Sequence, residues 1–315
     1  MAAERVQDGR ITVELSHPGK VLFPDDGFTK RDLVEYYHGL ADRMLPLLKD
    51  RPVTMIRYPD GIAAHSILQK NAPDYFPDWV TRAEVPKQGG SVHHVICDRP
   101  ATLAYLANQA CIELHVFLSR TEAVDRPDQV IFDLDPPARP PGGDDCFAEA
   151  VRAAKLLRGL LEGELGLTTF VKTTGGKGLH VHLPLVADAD FDASRQFARQ
   201  VSELLVAREP GLLTLEQRKD QRGTQIYSDV MRNGYAQTAT APYGVRGRPG
   251  APVATPLHWA ELDDTGLTPR RFTIATVPDR VAGQAGADDP WAGLARHRYH
   301  LAKAQEKLSE LAAAS

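Results

Sequence analysis

The chain has 315 residues, 43% hydrophobic and 25% charged, the proportions of a soluble globular protein with a large core in one domain or two. It has no run of 18 apolar residues, and its polar start, Met1-Ala-Ala-Glu-Arg-Val-Gln-Asp, excludes a signal-peptide core, so the expected setting is the cytosol. A formal net charge of −4, from 37 basic and 41 acidic residues, excludes a protein that coats nucleic acid through overall basicity; such a partner would have to be gripped locally.

Cys97, Cys111 and Cys146 are too widely spaced for a zinc or redox pair and read as packing residues in a reducing compartment. Ile11, Val13 and Leu15 alternate with polar residues before a Pro18-Gly19 turn, the pattern of a short strand. Thr29 then stands as N-cap to a helix with Asp32 at its third position, whose stripe of Leu33, Tyr36, Tyr37, Leu40 and Met44 runs to about Leu48. Lys30 would open that helix, where a cation opposes the dipole and is better placed with an anion to hold. Lys20 flanks the same segment, and both also read as ordinary helix-end lysines. Residues 53–58 form a strand closed by Pro59-Asp60-Gly61, and a hairpin turns around Gln88-Gly89-Gly90. In that hairpin His93 and His94 point to opposite faces and cannot chelate one metal. Leu103, Leu106, Ala107, Ala110 and Leu114 predict a helix from Thr102, with His115 following as the chain leaves it.

The most informative stretch is Val130-Ile131-Phe132-Asp133-Leu134-Asp135-Pro136-Pro137. Strand side chains alternate between faces, so Asp133 and Asp135 share one face, and the prolines end the strand at once. Neighbouring carboxylates repel unless a cation lies between them, and hard oxygen ligands so arranged suit Mg²⁺ or Mn²⁺. The plain alternative is a solvated strand end with two chance acids. Residues 139–145 read as a loop, and Phe147, Val151, Ala154, Leu157 and Leu161 as one face of a helix. Two strands, over 168–172 and 179–185, are joined by Thr173-Thr174-Gly175-Gly176-Lys177-Gly178. The amides of that loop can converge on an anion, with Lys177 as point charge and Thr174 as hydroxyl donor, or it is a simple turn. His180 and His182 share a face of the second strand.

Further on, residues 192–208 carry a helical stripe, 216–223 read as an exposed polar loop, and 225–230 as a strand ending in an acid, Asp229. Between Glu216 and Arg248 six bases face three acids, a modest basic patch. Residues 291–314 read as an amphipathic helix.

Acids at strand ends, a glycine-lysine loop and a basic stretch are the parts that phosphoryl or nucleotidyl transfer requires. Three motifs carry a resemblance: Phe132-Asp133-Leu134-Asp135-Pro136; Thr174-Gly-Gly-Lys177-Gly-Leu-His180-Val-His182; and Asp229 followed by Ala241-Pro-Tyr-Gly-Val-Arg246-Gly-Arg-Pro-Gly-Ala-Pro-Val-Ala-Thr-Pro-Leu-His-Trp. They resemble the motifs of the archaeo-eukaryotic primase superfamily, specifically the polymerase domain of bacterial DNA ligase D and its stand-alone relatives, over about residues 15–262. The resemblance implies an α+β fold of the α/β type, a primase-like core of mixed or antiparallel sheets flanked by helices. It implies one polymerase domain over residues 1–285 and a helical tail over 286–315. Asp133, Asp135 and Asp229 match the ligands of two Mn²⁺ or Mg²⁺ ions, and His115, Thr174, Lys177 and Arg246 match residues that hold the incoming triphosphate. Lys20 and Lys30 match a pair that binds the 5′-phosphate of a downstream strand, while Arg232 and Arg57 fall where the family contacts nucleotide and template.

The implied activity is addition of nucleotides, NTPs in preference to dNTPs, to a 3′-OH at DNA gaps or double-strand breaks. It places the chain in gap filling and non-homologous end joining, as a monomer at the nucleoid with other repair proteins as partners. Two departures stand out. Ile67-Leu68 occupy the place of two adjacent phenylalanines that stack on the template base, and Thr174 replaces a usual serine. No ligase or nuclease segment follows residue 315, so a stand-alone polymerase is the expectation. A haloacid dehalogenase-type phosphatase also carries paired acids after an apolar strand, but needs Thr or Gly where Pro136 stands. A non-catalytic end-binding module would keep Lys20 and Lys30 and lose the acids, all three of which are present.

Overall fold

Thr29 caps the helix that begins at Lys30, accepting from the Asp32 amide while Asp32 accepts from the Thr29 amide (2.6 Å), a reciprocal capping box. The computed structural model describes residues 4–137, 146–284 and 288–314. The chain divides into two units, residues 1–122, 238–255 and 272–285 in the first and 123–237, 256–271 and 286–315 in the second.

In the first unit β1 (Arg5–Asp8) pairs with β2 (Ile11–Glu14), and β3 (Val21–Phe23) with β4 (Phe28–Thr29). Helix α1 (Lys30–Gly39) is followed by α2 (Ala41–Leu48); the stripe read as one helix breaks at Leu40, directly after Gly39, a poor helix former. Then come β5 (Pro52–Arg57), β6 (Ile67–Gln69), β7 (Arg82–Lys87), β8 (Gly90–Ile96), α3 (Pro100–Asn108) and β9 (Cys111–Phe117). His115 therefore lies within a strand and not at the end of a helix. Ala110 takes a left-handed φ of 56° that ends the helical path, and Leu114 fits strand alternation as well as helical spacing.

The second unit holds β10 (Gln129–Asp135), α4 (Phe147–Arg158), β11 (Phe170–Thr173), β12 (Leu179–Pro184), α5 (Phe191–Arg208), β13 (Leu213–Thr214) and β14 (Ile226–Asp229). Thereafter β15 (Thr238–Thr240) and α6 (Val277–Ala282) belong to the first unit, and β16 (Pro256–Leu257) and α7 (Leu301–Ala314) to the second. Each unit has one six-stranded sheet. The first runs β15-β9-β5-β8-β7 with β6 on β5, antiparallel throughout. The second runs β13-β14-β10-β12-β11-β16, antiparallel except for β13 with β14. This is the α+β arrangement of antiparallel sheets and helices that the resemblance implies. Among the described residues no helix is long and apolar enough to cross a membrane.

Other local expectations change. The helix read from residue 291 begins only at Leu301; Trp291 precedes it, buried against His182 with ring centres 4.8 Å apart, its indole donating to the Val171 carbonyl (3.0 Å). Segment 216–223 is not simply exposed, because Arg222 is buried with its guanidinium 3.7 Å above the Tyr227 ring and donates to the Glu216 and Gln217 carbonyls. The loop expected over 139–145 lies outside the described residues.

The first unit's core centres on Tyr37, fully buried on α1. The β5–β9 ladder shifts register between Ile56 and Arg57, which pair with Glu113 and Cys111, so Ile112 is the extra residue of a bulge. The Tyr37 hydroxyl donates to the Ile112 carbonyl (2.7 Å) and accepts from the Val245 amide (3.0 Å). Tyr37→Phe should cost roughly 1–3 kcal/mol, because buried polar groups lose a partner without any change in packing volume. Urea unfolding would show this as a lower midpoint at unchanged slope.

Candidate active site

Register in the second unit's sheet adds partners to the face that strand alternation assigns to Asp133 and Asp135. Asp133 of β10 lies opposite Asp229 of β14 on one side and His180 of β12 on the other, and His180 lies opposite Lys172 of β11. Directly opposed residues share a face, so an acid, an acid, an imidazole and an ammonium form one row across four strands. Asp135, two residues on, joins the same face opposite Tyr227. Asp133, His180 and Lys172 are buried; Asp135 and Asp229 are half-buried.

Arg232, on the turn after β14, is the cation that touches the acids. Its Nη2 is 3.0 Å from Asp133 Oδ2 and 3.8 Å from Asp229 Oδ2. His180 Nε2 lies 3.3 Å from Asp133 Oδ1, while its Nδ1 is buried without a hydrogen-bond partner. Burial opposes ionisation of Asp133, but the contacts with His180 and Arg232 outweigh it and hold this carboxyl well below the usual carboxylate range. Asp135 goes the other way: burial, then the Asp133 charge, push it up to about 6. His180 is lowered to about 4 by burial and by Lys172, so it is neutral at pH 7. Asp229 is anchored at Oδ1 by the Met231 amide (3.0 Å) and the Tyr227 hydroxyl (3.3 Å).

The glycine-lysine loop closes over the end of β10. The Thr174 hydroxyl donates to the Gly178 carbonyl (3.1 Å) and accepts from the Gly176 (3.2 Å) and Gly178 (3.3 Å) amides, which fixes the loop and leaves Lys177 exposed. A Cβ on Gly178 would fall 2.0 Å from the Leu134 carbonyl oxygen, so only glycine lets the loop approach the strand that carries Asp133 and Asp135.

His115 and Arg246 meet in the first unit, on a residue the sequence reading passed over. Glu113 is buried on β9 and accepts from Arg246 Nε (2.7 Å), the Gly247 amide (3.0 Å) and the Tyr58 hydroxyl (2.9 Å), with His115 Nε2 at 3.1 Å. Burial alone would raise its pKa, but these partners bring it down to about 2. Glu113 and His115 stand at i and i+2, the signal that identified the aspartates; reading this stretch as a helix end concealed it. His180 and Lys172 join the row through register between strands, which the period-2 spacing of His180 and His182 does not carry. His182 is a packing residue, bonded to Gln129 (2.8 Å) against Trp291.

Lys20, Lys30 and Arg57 gather elsewhere in the first unit. The Lys30 amide donates to the Lys20 carbonyl (2.9 Å), and the buried Lys30 ammonium donates to the Ser16 carbonyl (2.7 Å) and hydroxyl (3.2 Å). Lys20 makes an exposed ion pair with Asp60 (2.8 Å). Burial and then the charges of Lys20 and Arg57 lower the Lys30 pKa, the mark of cations close together. Ile67 lies opposite Arg57 on β6, and both Ile67 and Leu68 are exposed.

Among the described residues no three His, Cys, Asp or Glu side chains are arranged to hold a metal ion as they stand; Arg232 is the cation at Asp133 and Asp229. The donor set nevertheless fits hard divalent cations, because its oxygens are carboxylates and, after burial, it is the neighbouring Asp133 charge that raises the Asp135 pKa. A carboxylate row of this kind beside a glycine-lysine loop is the arrangement expected of a nucleotidyl-transferring polymerase. The chain belongs to the LigD primase-polymerase domain family, whose model matches residues 29–291, and it is a DNA-directed nucleotidyltransferase. That membership excludes the dehalogenase-type phosphatase.

Similar proteins include the bifunctional non-homologous end joining protein LigD of Bacillus subtilis, 38% identical over 266 residues, covering 84% of this chain and 42% of that protein. The multifunctional LigD of Mycobacterium tuberculosis is 34% identical over 278 residues, 86% of this chain and 36% of its own length. The chain thus spans less than half of these relatives. The structure of the polymerase domain from Mycobacterium tuberculosis ligase D in complex with DNA matches with a TM-score of 0.82 at 33% identity, covering 90% of this chain and 97% of that one.

Gly178→Ala should destabilise the protein by about 1–3 kcal/mol through overpacking against β10, whereas Gly163→Ala, with open space at its Cβ, should stay within about 1 kcal/mol of the parent. Thermal unfolding of the two variants side by side checks the difference.

Proposed function

We propose that the chain adds nucleotides to a 3′-OH at DNA gaps or double-strand breaks, in end-joining repair at the bacterial nucleoid, steered by a downstream 5′-phosphate. On this reading residues 1–285 are the polymerase domain and 286–315 its helical tail. The observation that carries the proposal is the register that lines up Asp133, Asp135 and Asp229 on one sheet face with Arg232 as their counter-charge.

Those three acids would hold two Mn²⁺ or Mg²⁺ ions, which when bound lower the pKa of an attacking hydroxyl and stabilise a leaving pyrophosphate. His180 is neutral, presents Nε2 to Asp133 and keeps that carboxyl oriented. Lys177, Thr174, Arg246 and His115 are the triphosphate residues. Glu113 supports this assignment by fixing Arg246 and His115 in place before any substrate arrives. Arg232 neutralises the acids and is available to the nucleotide when other cations take that role. Arg57, Ile67 and Leu68 belong to the template side.

With a labelled primer-template, NTPs and Mn²⁺, the parent should extend the primer, and Asp133→Ala or Asp229→Ala should reduce extension to background, as should a chelator. Extension by both variants at unchanged circular dichroism would remove the metal assignment. In the same assay a 2′-hydroxyl bond of roughly 1–2 kcal/mol would appear as about a five- to thirtyfold NTP preference.

Lys20 and Lys30 support the 5′-phosphate reading because a buried ammonium at a helix start, with its pKa depressed by burial and by Lys20, is stabilised by a bound dianion. Replacing the 5′-phosphate of a gapped duplex by hydroxyl should weaken binding by about tenfold or more, at 1.5–3 kcal/mol for each charge-assisted bond. The Lys20→Ala/Lys30→Ala double variant should bind both duplexes alike, as fluorescence anisotropy would show.

A further inference from the structure

The family-like cation cluster of the first unit is bordered by an aromatic residue to which the site described above assigns nothing. Tyr75 is 61% exposed, the most exposed aromatic side chain among the described residues with large hydrophobic groups at the surface. An exposed tyrosine is commonly a mobile loop residue; this one is fixed at both ends. Its hydroxyl accepts from Arg57 Nη1 (3.0 Å), and Arg57 is itself held by the Gln109 carbonyl (2.9 Å) and the Gln69 side chain (3.1 Å). Its ring packs edge-on against buried Phe76 at 5.3 Å, and Phe76 continues the contact to Tyr105 (5.0 Å) and Tyr105 to Trp79 (5.5 Å). Tyr75 is thus the exposed end of a chain of aromatic rings whose other members are buried or half-buried, with the ring set before any ligand arrives.

Its neighbours define what such a ring would meet. Arg57 joins Tyr75 to β6, where Ile67 and Leu68 are 47% and 62% exposed. The Lys30 amide donates to the Lys20 carbonyl (2.9 Å), and the charges of Lys20 and Arg57 both act on Lys30. Cations that track a phosphate backbone, beside a rigid π face, are the two components of single-strand recognition; aliphatic side chains can wedge a base step but cannot stack with a base. We propose that Tyr75 is the stacking platform for an unpaired template base, with Leu68 as an aliphatic wedge beside it. The inference rests on the polymerase reading and adds to it the residue that supplies the π face absent from Ile67-Leu68.

The test uses the full chain and a duplex with a one-nucleotide gap whose unpaired template base is 5-iodouracil. Irradiation should form an adduct that mass spectrometry places on Tyr75. Tyr75→Ala should weaken binding of the gapped duplex about five- to a hundredfold with little change for an intact duplex, and Tyr75→Phe should retain most of the affinity. Equal losses in the alanine and phenylalanine variants would make Tyr75 a support for Arg57 and overturn the stacking role. Unchanged affinity of Tyr75→Ala with no adduct at Tyr75 would overturn it as well, while leaving the polymerase reading intact. Failure of the parent chain to bind gapped DNA would overturn that reading and this inference together.

Discussion

Three carboxyl groups on one face of a sheet repel one another, and much of the second unit's site is arranged around that repulsion. The antiparallel register of β10 with β14 forces Asp133 and Asp229 into directly opposed positions, and strand alternation adds Asp135. A hydrophobic core could not contain this arrangement without compensation, because a buried charge is tolerated only when paired. Arg232 supplies one cation, neutral His180 approaches Asp133, and Lys172 stands one strand further away. The compensation is incomplete, as the upward shift of Asp135 records. That residual negative charge is the physical basis for the divalent cations proposed at this face.

Glu113 shows the opposite arrangement in the first unit. There one carboxylate is surrounded by donors, Arg246, His115, Tyr58 and the Gly247 amide, and its pKa falls to about 2. A satisfied carboxylate of this kind has little remaining capacity for a metal; its effect is to orient the donors. The contact has a steric requirement, since a Cβ on Gly247 would come 2.4 Å from the Tyr58 ring. Glycine at 247 lets Arg246 and Tyr58 converge on the same carboxylate, which accounts physically for a Val-Arg-Gly run in a loop that the sequence shows only as basic and glycine-rich.

The site was legible wherever its residues follow the period of a strand. Asp133 and Asp135 at i and i+2, the glycine-lysine loop between two apolar runs, and Asp229 at the end of a third all sit where alternation and turn chemistry place them. What alternation cannot show is register between strands, and register brought His180 beside Asp133 and Lys172 beside His180. Glu113 was hidden for a different reason: Ala110 and Leu114 satisfy helical and strand spacing alike, and the left-handed turn at Ala110 that decides between them has no glycine or asparagine to announce it. The C-terminal helix reads back to Trp291 for another reason, since the burial of Trp291 against His182 comes from tertiary packing and not from a helical face.

Asp135 and Glu113 are buried acids with opposite surroundings. Both lose hydration on folding, and burial alone would raise both pKa values. Glu113 regains more than it loses from fixed donors, so its ionised form is stable with no ligand present, and its contribution is to position His115 and Arg246. Asp135 has burial and then the charges of Asp133 and Asp229 against it, so its ionised form is the less stable of the two. A carboxyl that the fold satisfies can serve as scaffold; one that the fold leaves short of positive charge has the capacity to take up a cation. By that criterion Asp135 is the acid of the row that the proposed metal binding would relieve most, while Asp133 is already held by Arg232 and His180.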